Sequence, residues 1–583
     1  MTDQTTPTAD PLAAERAYLA DLETKPLPKR WGGYLKLSGP GFLQSAMTLG
    51  GGTAFTSLLL ATYNYKLLWV APLGMIMGVV MLSALSYQTL STGERPFEAV
   101  RKHVSPGFAW AWVLTSLGAT VIWHFAQYGL LAGMGKDLIT AVSGTTLPKE
   151  GTAGDTGVVL GIGVVIMLVA IWIVFQYSKG HRGIRIYETV VKLLVWMIIA
   201  ILAVVVIMFG IKGKLDAGQI FSGYIPSFLP EDPKGIEKVI GALGASVGIN
   251  MTFLFGYSQL SRGWGREHRG LARFDLAFGM LIPFTIATSL LVIAAATAFQ
   301  GEVAPGAQVT PMALAGMFDK AGLPATATRI VFDLGICAML LSCITMHMLC
   351  CGFCWSEALK FKPEGIKYKL ACLTPCIGVF GVLLWKYMKT DIAAWTSAIC
   401  WVMLPIAYIA FLILNNKKKY LGDDKPKGAK GAIWNLAMLL IVVFSLFSTG
   451  YYFYAKYVMP ESTKMDAKAK IAMFYATTAS DKTIKTIEVN LAAAPAEDKS
   501  ALVKALADAK AKQVLLAKKA ALLESLTSVQ KEKENPKGKG SDFWAEINGR
   551  YDAIEAEVKA VEKQIKEFGK PTPAPAAPVK AAE

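Results

Sequence analysis

The sequence predicts an all-α integral membrane protein, with eleven transmembrane helices followed by a soluble helical hairpin at the carboxyl end. Three observations predict that class. The 583 residues are 53% hydrophobic and only 17% charged, with a mean hydropathy of +0.41, too apolar for a soluble enzyme and too long for one span. Apolar runs of about 20 residues, enough to cross a hydrocarbon core, recur along the chain with short basic loops between them. After about Tyr457 the composition changes to Ala, Lys and Glu.

Residues 1–30 are polar, contain Pro and Thr, and lack a charged-then-apolar signal pattern, so they are expected to form a disordered cytoplasmic arm. The membrane domain is placed at 31–457, with spans centred near Gly50, Met77, Trp123, Val165, Ala200, Met251, Leu290, Ser342, Val379, Leu404 and Val442. The first of these is interrupted by Gly50, Gly51 and Gly52. Three adjacent glycines remove side-chain packing and raise the entropic cost of helix, so the helix should come apart there. Irregular backbone inside a bilayer survives only where protein buries it or a polar cavity solvates it, the setting of substrate sites in secondary transporters.

Basic residues mark every second loop. Arg95, Arg101 and Lys102 follow the second span; Lys179, Arg182 and Arg185 the fourth; Arg262, Arg266, Arg269 and Arg273 the sixth; Lys360, Lys362, Lys367 and Lys369 the eighth; Lys417, Lys418 and Lys419 the tenth. The positive-inside rule makes these loops cytoplasmic, together with Lys25, Lys29, Arg30 and Lys36 before the first span. Eleven crossings then put the carboxyl terminus outside, in a multi-pass protein of the cell (inner or plasma) membrane. The formal charge of +16 is accounted for by these loops and the tail, which reads as topology and not as a nucleic-acid surface.

In the tail, Leu502, Leu506, Ala509, Leu516 and Leu523 run near heptad spacing, and Phe543, Ile547, Tyr551, Ile554, Val558, Val561, Ile565 and Phe568 alternate steps of four and three. Pro536 and Gly538 separate the two runs. An exoplasmic antiparallel hairpin over 458–570 is expected, then a disordered Pro/Ala end over 571–583. The hairpin is read either as a docking element for a protein partner or the cell wall, or as a solvated appendage. The eight cysteines all lie between Cys337 and Cys400 and none in the tail, which argues against structural disulfides. No nucleotide-binding loop or nucleophile–base constellation presents itself, so neither an enzyme nor a cofactor is expected. Glu188 with Lys192, and Arg329 with Asp333, read as structural ion pairs.

The segment GPGFLQSAMTLGGGTAF, from Gly39, resembles the first-helix signature of Nramp-type divalent metal transporters, in which Gly-Pro-Gly-Phe-Leu precedes Asp-Pro-Gly-Asn. Leu67-Leu68-Trp69-Val70 and Ser91-Thr92-Gly93 continue the likeness, and GASVGINMTFLFGYSQLSR, Gly244 to Arg262, is similar to the family's Gly-Ala-Thr-Val-Met-Pro-His segment and closing Ser-Arg. Leu334-Gly335, Ser342 and Leu404-Pro405 extend it. The resemblance implies two inverted five-helix repeats of the leucine-transporter-like kind, with the first and sixth helices broken at a central site, plus one extra helix. The family's metal ligands do not carry over: Gly50, Gly51, Gly52 and Thr53 stand at its Asp-Pro-Gly-Asn, and Gly248 and Asn250 at its Met and His. No carboxylate, thioether or imidazole is expected at the site, and manganese or iron should bind poorly. Acidic residues that the family places on the third helix appear as His124 and Gln127, and a second sixth-helix histidine as Phe255. His124 is then the best remaining proton-relay candidate, set against a neutral histidine hydrogen-bonded between helices.

The residues expected to line the substrate site are Gly50, Gly51, Gly52, Thr53, Gly248, Ile249, Asn250 and Met251, with Ser45, Thr48, His124 and Gln127 as polar lining. Three readings follow. One is a transporter of cations with a non-standard site, a magnesium-like hard cation held by waters and carbonyls being compatible with it. A second is a transporter of a small organic solute such as an amino acid or carboxylate, because glycines at a half-helix N-terminus expose N–H groups. The third is a non-transporting sensor or scaffold working through the tail. Cys343, His347, Cys350, Cys351 and Cys354 share one helical face in the eighth span; small apolar packing is favoured there over a relocated metal site.

Overall fold

The computed structural model describes residues 11–48, 51–145, 147–149, 151–177, 181–300, 302–306, 317–493, 499–536 and 541–567. Its regular elements among these residues are all helical, and nine helices are long and apolar enough to cross a membrane. Two further expected spans appear in other forms. The stretch around Gly50 is a pair of short helices, Pro40–Thr48 and Gly51–Ala61, and the stretch around Ala200 belongs to a helix, His181–Ile211, whose apolar described part is Ile199–Ile211.

Local chemistry sets the boundaries. The longest helix, Pro106–Ser143, starts where the Ser105 hydroxyl accepts the Phe108 N–H at 3.1 Å with Pro106 in the first turn, and stops at Gly144, whose φ of 66° few other residues adopt. On Gly428–Phe453, Ile433, Leu436, Leu440, Val443 and Phe447 form an exposed stripe at alternating steps of three and four. Such a stripe is the face a bilayer solvates.

The chain divides into two units, the first comprising Met1–Pro230, Lys234–Phe299 and Gln308–Phe453. Residues 11–30, expected to be disordered, are helical in this unit over Pro11–Glu23 and Leu27–Leu37. Leu19 and Leu22, one turn apart in an otherwise polar segment, bury against Tyr34, Trp264 and Leu271, and Arg16 pairs with Glu267 at 2.6 Å. The other expected ion pairs change as well. Arg329 forks onto Asp137, with an Nε to Oδ2 distance of 2.8 Å, while Asp333 lies buried one turn along. The side chains of Glu188 and Lys192 lie outside the described residues.

Among the basic loops, Arg266 and Arg269 converge on Asp424, and the Arg269 guanidinium also covers the Tyr87 ring at 5.1 Å. The hydrogen bond from Arg266, supported by Arg269, holds the Asp424 carboxyl below the usual carboxylate range. A carboxyl depressed in the folded state stabilises above its unfolded value of about 4, and that contribution fades as pH falls through the folded value. Asp424→Asn should therefore melt below the wild type at neutral pH and together with it in strong acid. A gap of the same size at both pH values would remove the ion pairs as its source.

The second unit comprises Glu231–Pro233, Gln300–Ala307 and Tyr454–Glu583. Its tail portion departs from the expected two-helix hairpin. Lys499–Glu534 and Ser541–Glu567 are joined by a third rod, Glu461–Phe474, which continues through a π-helical turn into Ser480–Ala493. Ala469 and Ala472 of that rod meet Ala520 and Leu523 of the middle helix and Val558 of the last. Ser462 binds Glu534 through its N–H at 2.9 Å and through its hydroxyl. The extra rod carries alanines where heptad patterning looks for Leu or Ile, which is why its apolar face is inconspicuous in the sequence. Residues 568–583 lie outside the described residues.

Candidate functional site

An interrupted helix meets the two short helices of the first expected span in the first unit. In the sixth expected span, Pro233–Ser246 stops and Ile249–Ser261 begins two residues later, with Gly248 extended at φ −87°, ψ 161°. In the first, the helices flank 49 and 50, so Gly50 itself lies outside the described residues. The Thr53 hydroxyl reaches back to the Thr48 carbonyl and lies 3.2 Å from the Ala245 carbonyl of the broken helix. Helix ends so linked hold each other in register.

Neighbouring helices supply the remaining partners. From Pro106–Ser143, Ser116 donates to the Ile249 carbonyl at 3.4 Å and Trp112 to the Thr252 hydroxyl at 3.0 Å. From Ala325–Ala358, the Cys343 thiol donates to the Met47 carbonyl at 3.0 Å, and the Cys350 thiol to the Asn250 carbonyl at 3.3 Å. Gln127 donates to the Cys343 sulfur at 3.3 Å. Within the break, the Asn250 Oδ1 accepts the Met251 N–H at 3.0 Å, and the Met251 sulfur accepts the Gly248 N–H at 3.4 Å.

These groups enclose a cavity of about 20 Å³. Of the candidates named from the sequence, Thr53, Gly248, Asn250, Met251 and Gln127 line it, and so do Met47, Trp123, Gly244, Ala245, Cys343 and His347. Several expected lining residues are elsewhere. Gly51 and Gly52 open the second short helix, and the Ile249 side chain is fully buried off the cavity. Ser45 donates to the Gly279 carbonyl and Thr48 to Gln44. His124 sits behind the wall, its ring 5.6 Å from that of His347, and neither of its nitrogens has a hydrogen-bond partner among the described residues. A histidine hydrogen-bonded between helices is therefore not what the geometry gives.

The family's ligand positions carry no thioether or imidazole, but neighbouring positions supply both: Met47 and the expected Met251, with Cys343 and His347, line the cavity, and among the described residues no acidic one does. The cysteine-rich face of the eighth span divides: Cys343 and His347 reach the cavity, Cys350 caps a carbonyl, and Cys351 and Cys354 are buried away from it. Among the described residues no three of His, Cys, Asp and Glu are grouped to hold a metal, so any cation here relies on Met, amide and hydroxyl donors as well. Met47 carried one sequence signal, its place in the last turn before the glycine break.

The family model "Nramp: Natural resistance-associated macrophage protein-like" matches residues 41–453. The chain belongs to the Nramp family. This Nramp-family chain is 28% identical over 222 residues to the manganese transporter pdt1 of Schizosaccharomyces pombe, a match spanning 38% of this chain and 39% of that relative. Its fold is similar to a crystal structure of the Eremococcus coleocola manganese transporter in complex with an aromatic bis-isothiourea substituted compound, with a TM-score of 0.57 and 16% identity over 76% of this chain and 93% of that one. It is also similar to MhsT in complex with L-phenylalanine, with a TM-score of 0.50 and 16% identity over 70% and 98% of the two chains. At such identities the likeness speaks to fold. The protein is a multi-pass, all-helical membrane protein of a transporter family.

Proposed function

We propose that this Nramp-family chain is a secondary transporter that carries a metal cation through the cavity between its two broken helices. The observation that carries the reading is the convergence of the break in the sixth span and of the two short helices of the first on one small space lined by neutral donors, in a chain of this family. A cavity of about 20 Å³ has room for one water-sized object. An amino acid needs far more, so the organic-solute reading finds no support in this conformation. A magnesium ion keeping several waters is also too large, since each water needs about 10–15 Å³ of such space.

The architecture we assign is eleven crossings in two inverted five-helix repeats plus one helix, in the cell membrane. The basic loops support a cytoplasmic amino terminus. The second unit takes in Glu231–Pro233 and Gln300–Ala307, segments that the same charge count puts outside, which supports an exoplasmic tail.

Proteoliposomes holding a metal-sensing dye test the reading. Uptake of a metal cation above that of protein-free vesicles, abolished by Asn250→Ala and by Gly51→Leu, is the expected result. Accumulation of an amino acid with no movement of any metal would overturn it.

A further inference from the structure

Resting on that transport reading, we propose that the cation is a soft, singly charged metal ion of the cuprous type, bound by Met47, Met251, Cys343 and His347. The donor set is the first reason. Thioethers and thiols select soft, low-charge metals, and imidazole suits the same ions, whereas manganese and magnesium want carboxylate, carbonyl and water oxygens. Four such donors face one cavity from three elements: the last turn before the first break, the first turn after the second, and the helix Ala325–Ala358.

Charge is the second reason. Among the described residues no acidic one lines the cavity, so an incoming cation finds no counter-charge from them. The cost of moving an ion out of water rises with the square of its charge, so a divalent ion is penalised about fourfold more than a monovalent one. As the ion binds, the Cys343 thiol gives up to solvent the proton it now donates to the Met47 carbonyl, and one thiolate with one monovalent ion sums to zero charge, whereas a divalent ion leaves a net charge in the site.

Size and preparation complete the case. A space of about 20 Å³ admits an ion stripped of its waters, which a weakly hydrated soft cation tolerates and magnesium resists. The Cys343 sulfur is already fixed between the Gln127 amide at 3.3 Å and the Met47 carbonyl at 3.0 Å, which also ties Met47 to it. His347 is 2% exposed, and its Nδ1 has no hydrogen-bond partner among the described residues. His347 thus brings to the cavity wall an imidazole with one nitrogen not committed to any described residue.

The test uses the full-length protein in nanodiscs, with Cu(I) supplied anaerobically under ascorbate, Ag(I) as a redox-stable soft cation, and Mn(II) and Mg(II) as hard ones. One equivalent of Cu(I) or Ag(I) should bind and raise the melting temperature, and X-ray absorption of the loaded protein should show a sulfur-dominated shell. The double variant Cys343→Ser, Met251→Leu should bind at least about tenfold more weakly, with Met47→Leu as an independent variant should the double one fail to fold. Cys337→Ser, away from the cavity, should bind as the wild type does. Binding by the double variant equal to the wild type, or an oxygen-only shell, would overturn the soft-cation assignment. Stabilisation and vesicle uptake confined to Mn(II) or Mg(II) would overturn it while leaving the metal-transport reading in place. Absence of binding and uptake for every ion would remove both.

Discussion

Gly381→Val should cost the membrane domain about 3 kcal/mol or more and leave little monodisperse protein after extraction. A Cβ at 381 would lie 2.0 Å from the Phe125 carbonyl oxygen and 2.6 Å from the Phe125 Cα, and one at 378 would lie 2.6 Å from the His124 Cβ. The 3-10 helix Thr374–Leu384 therefore meets Pro106–Ser143 backbone to backbone through two glycines three residues apart. Small residues at that spacing allow close approach in membranes, where dispersion at short range, and not exclusion of water, drives helix association. Main-chain atoms cannot rotate aside as a side chain can, so a valine must part the helices. Gly133, whose Cβ would strike the Trp385 ring at 2.4 Å, would lose its contact in turn. Gly118, on the same long helix, has nothing within 4 Å of a built Cβ. Gly118→Ala should raise stability by up to about 1 kcal/mol through helix propensity. Thermal melts of the two variants should move in opposite directions, and parallel shifts would show that the glycine contact does not hold these helices together.

The break in the sixth span was legible because its cause is local. Gly248 acts on the backbone where it stands, and the described helix ends at Ser246 beside it, whereas in the first span the described helices flank 49 and 50 and Gly51 and Gly52 already belong to the second of them. The cavity wall was only half legible. Thr53, Asn250 and Met251 lie next to the breaks in sequence, whereas Trp123, Cys343 and His347 arrive from other helices. Spacing shows that Cys343, His347 and Cys350 share a face, but the rotation of Ala325–Ala358 against its neighbours decides which of them meets the cavity. That rotation comes from packing and leaves no periodic mark. The same holds for the amino-terminal helix, where Leu19 and Leu22 alone supply the buried side. Two apolar residues in a polar segment do not stand out until Trp264 and Leu271 are brought against them.

Gly248→Ala should lower metal uptake about tenfold or more while leaving the melting temperature close to that of the wild type, and Gly244→Ala should lower the melting temperature and uptake together. Both glycines line the cavity, four residues apart on the same interrupted span. A Cβ at 248 would meet the Asn250 Oδ1 at 2.7 Å, and the φ of −87° suits any L residue. Only the Asn250 side chain has to move, giving up its bond to the Met251 N–H and shifting two lining groups by tenths of an ångström. Fold is spared and the arrangement of donors is not. A Cβ at 244 would instead lie 2.3 Å from the Ser397 carbonyl oxygen and 3.0 Å from the Trp401 Cβ, so Pro233–Ser246 and Asp391–Met403 must separate. Their close contact is what keeps one wall of the cavity in place, and a methyl there acts as overpacking against backbone. Melting and vesicle uptake measured on the same preparations separate the two cases. If both variants lose stability in equal measure, Gly248 is a packing glycine like Gly244, and the cavity at the second break is not the binding site.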